Sequence, residues 1–309
     1  MTQTERWGPK RTYPRDWKAY DEELVRRGEF YLDLDWVRSW DAELATMNEG
    51  KNGAPFRFPE SLIKLQGVWH QFVDLRGVEG ITRKLTKFGL LPKFDDHTTV
   101  CRRLRRLDTT FNIPADGPIE VASDGTGLQL IDGGEYLRQK YGKKHRVWAR
   151  VTIIADRKTK NLLGIDVTIF DPSSEPDAAT VMIEELIEEG VDVDKFYGDG
   201  GFDKKELFEF LDEHGIEPII KLPKNAVFGE CEPRNRELKL YKKYGYKKWA
   251  KKKGYGMRWP GTEGIFSAVK RKFGEGIRER NEKSILNQAR IKFWVYQWMC
   301  DYARAGAGA

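Results

Sequence analysis

The sequence predicts an α/β chain in which a mixed β-sheet of order βββ-α-β-α-β carries flanking helices and follows a helical N-terminal region. Three observations carry this reading. Between residues 119 and 222, short runs rich in Val, Ile and Thr form a hairpin group and then alternate with amphipathic stretches. Between residues 59 and 108, apolar residues recur at helical spacing. The 309 residues are 39% hydrophobic and 12% aromatic, enough for a large buried core, while 33% are charged and no apolar run approaches the ~20 residues of a spanning helix.

Taken in order, residues 1–58 read as irregular with one or two helices. From Pro59, the spacing of Leu62, Leu65, Val68, Trp69 and Phe72 predicts a helix, and a second spans Val78 to Phe88 and stops at Gly89. Asp95 or Asp96 can cap a third, with Val100, Leu104 and Leu107 inward and Arg102, Arg103, Arg105 and Arg106 mostly outward. Those arginines suit a grip on DNA phosphates or entry into a groove; a solvated face on a three-helix module accounts for them equally well. Strands follow at 119–124, 146–155 and 162–170, the last two joined by the turn 156–161. Glu175 to Glu189 is a helix with Ala178, Val181, Met182 and Ile187 on its apolar side. A strand at 195–199, a helix at 204–214 and a strand at 218–222 complete the sheet pattern. A basic stretch, 224–258, precedes helices at about 262–273 and 284–303. The chain therefore divides into a helical, DNA-binding region 1–117, a sheet domain 118–303 with a basic insertion at 224–258, and a loose tail 304–309.

Charge follows the same division. Residues 1–117 hold 20 basic and 18 acidic side chains, residues 118–223 hold 13 and 22, and residues 224–309 hold 21 and 8, so the C-terminal part is strongly cationic within a chain of net +6. Such a surface attracts polyphosphate backbones through counterion release, which makes nucleic acid the first partner to expect. Lys251, Lys252 and Lys253 lie among Tyr241, Tyr244, Tyr246, Trp249 and Tyr255, aromatic residues able to stack on bases or sugars; a solvated lysine face is the plainer alternative. Cys101, Cys231 and Cys300 are odd in number and distant from one another and from the four histidines, which argues against a disulfide framework or a Cys/His zinc site. No apolar core of the signal-peptide kind follows Met1, so a cytoplasmic, nucleoid-associated protein without membrane contact is expected.

Three acids stand where this topology brings chain segments together: Asp124 at the end of the first strand, Asp199 at the end of the fourth, and Glu263 at the start of a helix after the last. Carboxylates that converge repel unless cations bridge them, and hard oxygen ligands suit Mg²⁺ or Mn²⁺, with two ions the natural product. Asp203 competes with Asp199 for the second position.

The segments Val121-Ala122-Ser123-Asp124-Gly125-Thr126-Gly127-Leu128 and Tyr197-Gly198-Asp199-Gly200-Gly201-Phe202-Asp203 resemble the first two acid motifs of insertion-sequence transposases of the Asp-Asp-Glu class. The third motif of that family runs Tyr, two residues, Arg, three residues, Glu, six residues, Lys. Tyr255, Arg258, Glu263 and Lys270 match it, except that four residues rather than three separate Arg258 from Glu263. The resemblance spans about residues 58–303. It implies a ribonuclease-H-like catalytic domain in which Asp124, Asp199 and Glu263 hold two divalent ions while Tyr255, Arg258 and Lys270 hold phosphates or a displaced base. It further implies cleavage at terminal inverted repeats, joining of 3′-OH ends to target DNA, and a homodimer or higher oligomer on DNA. A solvated helix face accounts equally well for Lys270 alone. A nuclease of the same fold that cuts without joining, and a catalytically silent DNA-binding relative, remain the rival readings.

Overall fold

The computed structural model describes residues 16–113, 117–131, 147–169, 174–256 and 261–306. Within the described part of residues 1–58, where one or two helices are expected, lie α1 (Trp17–Glu29) and α2 (Trp40–Asn48), with two 3-10 turns between them. Helices α3 (Glu60–Trp69), α4 (Leu75–Lys87) and α5 (His97–Leu104) follow. Asp96 caps α5, its carboxylate accepting from the backbone amides of Thr98 and Thr99 at 2.8 and 3.0 Å. Asp95 turns inward instead and is buried.

The sheet comprises β1 (Ile119–Leu130), β2 (Trp148–Asp156), β3 (Leu162–Thr168), β4 (Val193–Gly198) and β5 (Glu217–Ile220), in the spatial order β3-β2-β1-β4-β5. β1, β2 and β3 pair antiparallel, and β4 and β5 join parallel to β1. Helix α6 (Glu175–Glu188) connects β3 to β4, and α7 (Lys205–Glu213) connects β4 to β5. This order and mixture of directions is the mixed sheet expected from the βββ-α-β-α-β pattern, in the ribonuclease-H-like arrangement that the family resemblance implies. Helices α8 (Glu232–Lys252), α9 (Glu263–Phe273) and α10 (Glu282–Ala305) complete the chain, with a short β6 (Gly276–Ile277) parallel to the end of β1.

The two-residue side-chain period of the strands sorts the core into layers. From β2, Ala149, Val151, Ile153 and Ala155 face one layer and Ile154 the other. The second layer packs on α6 and α7 through Ala179, Met182, Ile183, Leu186, Leu207, Phe208 and Leu211. Val181, expected on the apolar side of α6, is 52% exposed, because the face that meets the sheet is set by Ala178, Met182 and Leu186 at helical spacing. The first layer packs on α9 and α10 and on the N-terminal helices together. Ile63, Val68, Val100 and Leu104 share one continuous cluster with Leu128, Val151, Val269, Phe293 and Val295. Residue 117 thus marks a change of secondary structure but no break in the core.

The basic insertion is a folded element. Its first half packs Cys231 and Leu238 beside α7, and its second half packs Trp249 with Ala122, Tyr197 and Ile219 on the other side of the sheet. The helix crosses the β5 edge between the two, bending at Gly245, whose φ of 67° and ψ of 160° lie outside helical geometry and are open to glycine.

Candidate active site

The parallel register between β1 and β4 pairs Ala122 with Tyr197. Asp124 and Asp199 each lie two residues beyond that pair, so neighbouring strands, about 5 Å apart, carry both acids toward the same end of the sheet. Asp124 Oδ1 accepts from the Gly125 amide at 2.9 Å, and its Oδ2 lies 3.4 Å from the hydroxyl of Thr262. Thr262 is fully buried and immediately precedes Glu263, the first residue of α9, so this contact brings the start of α9 to β1. Asp199 caps the 3-10 turn Gly200–Phe202, accepting from the Gly201 amide at 2.7 Å. Phe202 packs back on Phe196 with ring centroids 5.6 Å apart. A side chain at Gly198 would collide with Phe202 at 2.8 Å, which is why glycine precedes Asp199.

Asp203 has a different occupation. Arg234 holds it bidentately, Nε to Oδ1 at 2.6 Å and Nη2 to Oδ2 at 2.7 Å, and its side chain is 9% exposed. A buried carboxylate neutralised in this way anchors the basic insertion to the loop after β4.

A fourth acid enters the site. Glu175 opens α6 behind a capping box in which Asp177 accepts from the amide and hydroxyl of Ser174 at 2.9 and 2.7 Å. The Glu175 carboxylate lies over Gly125, where a Cβ would fall directly on it. Burial pushes its pKa up, and the charges of Asp124 and then Asp199 push the same way, against the opposing pull of Arg150. Glu175 therefore lies within electrostatic reach of both aspartates. Sequence reasoning missed it. The signal was the Ser174-Glu175-Pro176-Asp177 helix start directly after the third strand, yet nothing in that motif sets Glu175 apart from the other acids of an acid-rich segment.

Among the described residues, no three His, Cys, Asp or Glu side chains stand as a ready-made metal cage. The acids around Asp124 are hard oxygen donors that repel one another, and a divalent cation is the group such a set can accept. Carboxylate oxygens are the donor type that suits Mg²⁺ or Mn²⁺.

The residues expected to touch DNA are distributed as follows. Tyr255 is 6% exposed and packs on Trp249 and Tyr246, with centroids at 5.2 and 6.4 Å. Tyr241 also packs edge-on against Trp249, so most of the aromatic residues interleaved with the lysines contact one another, while Tyr246 is 45% exposed. Arg258 lies outside the described residues. Lys270 lies two turns along α9 from Glu263 and pairs with Glu275 at 3.6 Å. Lys251 and Lys252 are exposed, the latter over the ring of Tyr244 at 4.3 Å. Lys253 is instead held by Glu217 at 2.7 Å and Glu237 at 3.1 Å, which clamps α8 to β5. Arg102 and Arg106 are exposed. Arg103 stacks on Phe56 at 4.6 Å and donates to the Phe58 carbonyl at 3.1 Å, and Arg105 donates to Ser284 of α10 at 2.7 Å.

β1 runs on to Leu130, so Asp124 lies within the first strand rather than at its end, while Asp199 directly follows the fourth strand and Glu263 opens a following helix. A sheet of this order with acids in these places defines a polynucleotidyl-transfer class of site. Two family models, each described as a transposase DDE domain, match residues 116–298 and residues 25–133. The first covers more than half of the chain, and the protein belongs to the DDE transposase family. The second model runs from the N-terminal helices into β1, across the same boundary that the shared core spans. No curated protein matches the chain. Among solved structures, the chain is similar to the simian T-cell lymphotropic virus intasome in complex with the PP2A regulatory subunit B56 gamma. That match has 12% identity and a TM-score of 0.23, covering 60% of this chain and 68% of the other. It is also similar to a pre-cleavage Mos1 transpososome, at 8% identity and a TM-score of 0.24, covering 84% and 81%. At such scores these likenesses add nothing to the fold read from the strand order. Among the described residues, no helix is long and apolar enough to cross a membrane.

Proposed function

We propose that this transposase cuts DNA at the terminal inverted repeats of an insertion sequence and joins the freed 3′-OH ends to target DNA, with Asp124, Asp199 and Glu263 as the metal-holding acids. The observation that supports the proposal is the register of β1 and β4, which carries Asp124 and Asp199 toward the same end of the sheet, together with the contact of Thr262, the residue before Glu263, with Asp124. The commitment of Asp203 to Arg234 supports Asp199 as the second acid.

Two bound divalent ions would supply Lewis acidity for an in-line displacement at phosphorus, favouring a nucleophilic water at neutral pH and relieving charge on the leaving oxygen. The residues of the chain do the rest. Asp124 on β1, Asp199 just after β4 and Glu263 at the start of α9 would present their carboxylates to the ions, and the ions would offset the repulsion between these acids and the scissile phosphate. In the first reaction, water attacks phosphorus and the 3′-oxygen of the element end leaves, taking up a proton. In the second, that hydroxyl loses its proton, attacks a target phosphodiester and displaces a target 3′-oxygen, so one phosphodiester forms as one breaks. Lys270, on the α9 face of Glu263, and the exposed cations Lys251, Lys252, Arg102 and Arg106 would bind phosphates. Two DNA ends require two sites, which makes a dimer or higher oligomer on DNA the working assembly.

The test uses purified full-length protein with duplexes bearing the element ends. Asp124→Asn, Asp199→Asn and Glu263→Gln are each expected to keep DNA binding while losing Mg²⁺-dependent cleavage by at least about a hundredfold. Pre-cut ends with a 3′-OH should give joined products, and 3′-dideoxy ends none. Cleavage that survives all three substitutions would refute the assignment. Cleavage without joining would favour a nuclease of the same fold.

A further inference from the structure

A charged cluster lies along the sheet from the three acids and centres on Glu120 of β1, whose side chain is 13% exposed. Arg157, just after β2, pairs with its Oε2. The Tyr197 hydroxyl of β4 donates to the same oxygen at 3.2 Å, and Lys195 Nζ lies 3.5 Å from Oε1. The Arg157 amide donates to the Glu120 carbonyl at 2.8 Å, and its guanidinium stands over the Tyr197 ring at 5.3 Å. Tyr197 Oη is also 3.4 Å from the carbonyl of Lys253, the residue that closes α8. Burial pushes the Glu120 carboxyl up, but the Arg157 hydrogen bond and charge, then Lys195 and Tyr197, hold it below its ordinary value.

Every element in this cluster continues into the candidate site. Strand β1 reaches Asp124 four residues after Glu120, on the same face by strand alternation, and Asp199 follows Tyr197 by two residues. Gly261 rests on the end of β2, where a Cβ would stand 3.8 Å from Arg157 Cα and 3.9 Å from the Asp156 carbonyl oxygen, and Glu263 is two residues further on. Four strand residues set Glu120 about 13 Å from Asp124, beyond the reach of an ion held there. A buried ion cluster adds little stability relative to packed apolar side chains, so stability alone does not account for it. Several directed partners on one carboxylate instead fix the segments that bear them relative to one another.

We infer that Glu120 is a positioning residue for the reaction, the common anchor through which Arg157 and Tyr197 hold the segments leading to Glu263 and Asp199 in register with Asp124. The inference rests on the three-acid reading of the site.

Full-length Glu120→Ala and Glu120→Gln test it. Mn²⁺ affinity without DNA, read from the electron paramagnetic resonance signal of the free ion, should fall about 10-fold or more in Glu120→Ala and less in Glu120→Gln, which keeps an acceptor for Tyr197. The kcat for cleavage should fall about 10- to 100-fold with DNA affinity unchanged, the size of effect a small misplacement produces. The pH dependence of cleavage should keep its shape, because Glu120 is held low and Tyr197 is pushed up to about 12, mainly by burial, so neither changes protonation near neutrality. In metal-free protein, amide hydrogen exchange should accelerate at residues 199–203 and 261–263 but not in α7. Adding Arg157→Ala to Glu120→Ala should bring little further loss, since the pair acts as a unit. Leu211→Ala, in the opposite core layer, is the control for lost stability and should melt lower with Mn²⁺ affinity unchanged. Glu120→Gln carries the test if Glu120→Ala does not fold. Unchanged Mn²⁺ affinity and kcat in the Glu120 variants overturn the inference, as does an equal loss in Leu211→Ala, which marks stability alone. A shifted pH profile also overturns it, by marking proton transfer. Asp124→Asn separates the two levels. If it loses Mn²⁺ binding while the Glu120 variants do not, the inference alone fails; if it binds as the wild type does, the three-acid reading fails.

Discussion

Asp95 offers the sharpest test of the energetics of the N-terminal helices. Its carboxyl is 2% exposed and faces the fully buried Gln66, whose amide nitrogen donates to Asp95 Oδ1 at 2.5 Å. The other two oxygens of the pair, Asp95 Oδ2 and Gln66 Oε1, are buried without a hydrogen-bond partner. A proton on Oδ2, or the amide of an asparagine, would provide the missing donor. Burial is the main reason the Asp95 carboxyl is pushed up from 3.8 to about 6; the charge of Asp96 adds to the rise, and the Gln66 hydrogen bond and nearby Arg103 oppose it. In the unfolded chain the group titrates near 3.8. The folded protein therefore holds the proton more tightly, and this contribution to stability is full below about pH 4 and is lost as pH rises through about 6. A shift of this size corresponds to about 3 kcal/mol at pH 7, at about 1.4 kcal/mol per unit. Asp95→Asn should accordingly be more stable than the wild type by about 2–3 kcal/mol at pH 7, with the difference shrinking toward zero at pH 4. Urea unfolding followed by tryptophan fluorescence across pH 4 to 7.5 measures it. A variant less stable at pH 7, or a difference that does not change with pH, would refute the reasoning.

The cationic residues divide into two groups with opposite expected phenotypes. Replacing exposed Lys251 and Lys252 with Gln should weaken binding to all DNA sequences and lower the slope of log affinity against log salt by about 2, with little change in melting temperature. Replacing Lys253 should do the reverse, lowering the melting temperature through loss of the Glu217 and Glu237 pairs while leaving the salt slope nearly unchanged. In α5, Arg102→Ala with Arg106→Ala should reduce the preference for element-end over scrambled DNA in a competition gel-shift assay. Arg103→Ala should instead destabilise the protein by about 1–2 kcal/mol, because its guanidinium is engaged with Phe56 and the Phe58 carbonyl. Equal loss of DNA preference in both variants would remove the distinction.

The sequence alone determined the order of strands and helices, because strand and helix periods, glycine stops and capping residues are local signals. Gly190 and Gly215 end α6 and α7 with φ of 85° and 70°, and the hairpin at 156–161 turns through Lys160 at φ 63°. Asp199 and Glu263 lie at element ends that local signals mark, whereas β1 continues six residues past Asp124, through its pairing with β2, beyond the end expected for the first strand. What the tertiary structure decided depends on contacts between residues far apart in the chain. Asp199 and Asp203 are indistinguishable in sequence, and only the arrival of Arg234 from the basic insertion commits Asp203 to an ion pair. The row of arginines in α5 and the run Lys251 to Lys253 look uniform, but Arg103 and Lys253 are partly buried in side-chain contacts, Arg105 is exposed yet hydrogen-bonded to Ser284, and Arg102, Arg106, Lys251 and Lys252 are exposed. The aromatic residues of the insertion look like a stacking surface, but the Gly245 bend folds the chain over the sheet edge and buries Trp249 and Tyr255 there. Glu175 shows the limit most clearly. Its helix position can be read from four residues, whereas its place beside Asp124 depends on the β1–β2–β3 pairing that carries α6 back across the sheet and on the missing side chain of Gly125. Local propensity sets what each segment is, and long-range packing sets which of its charges remain available for chemistry.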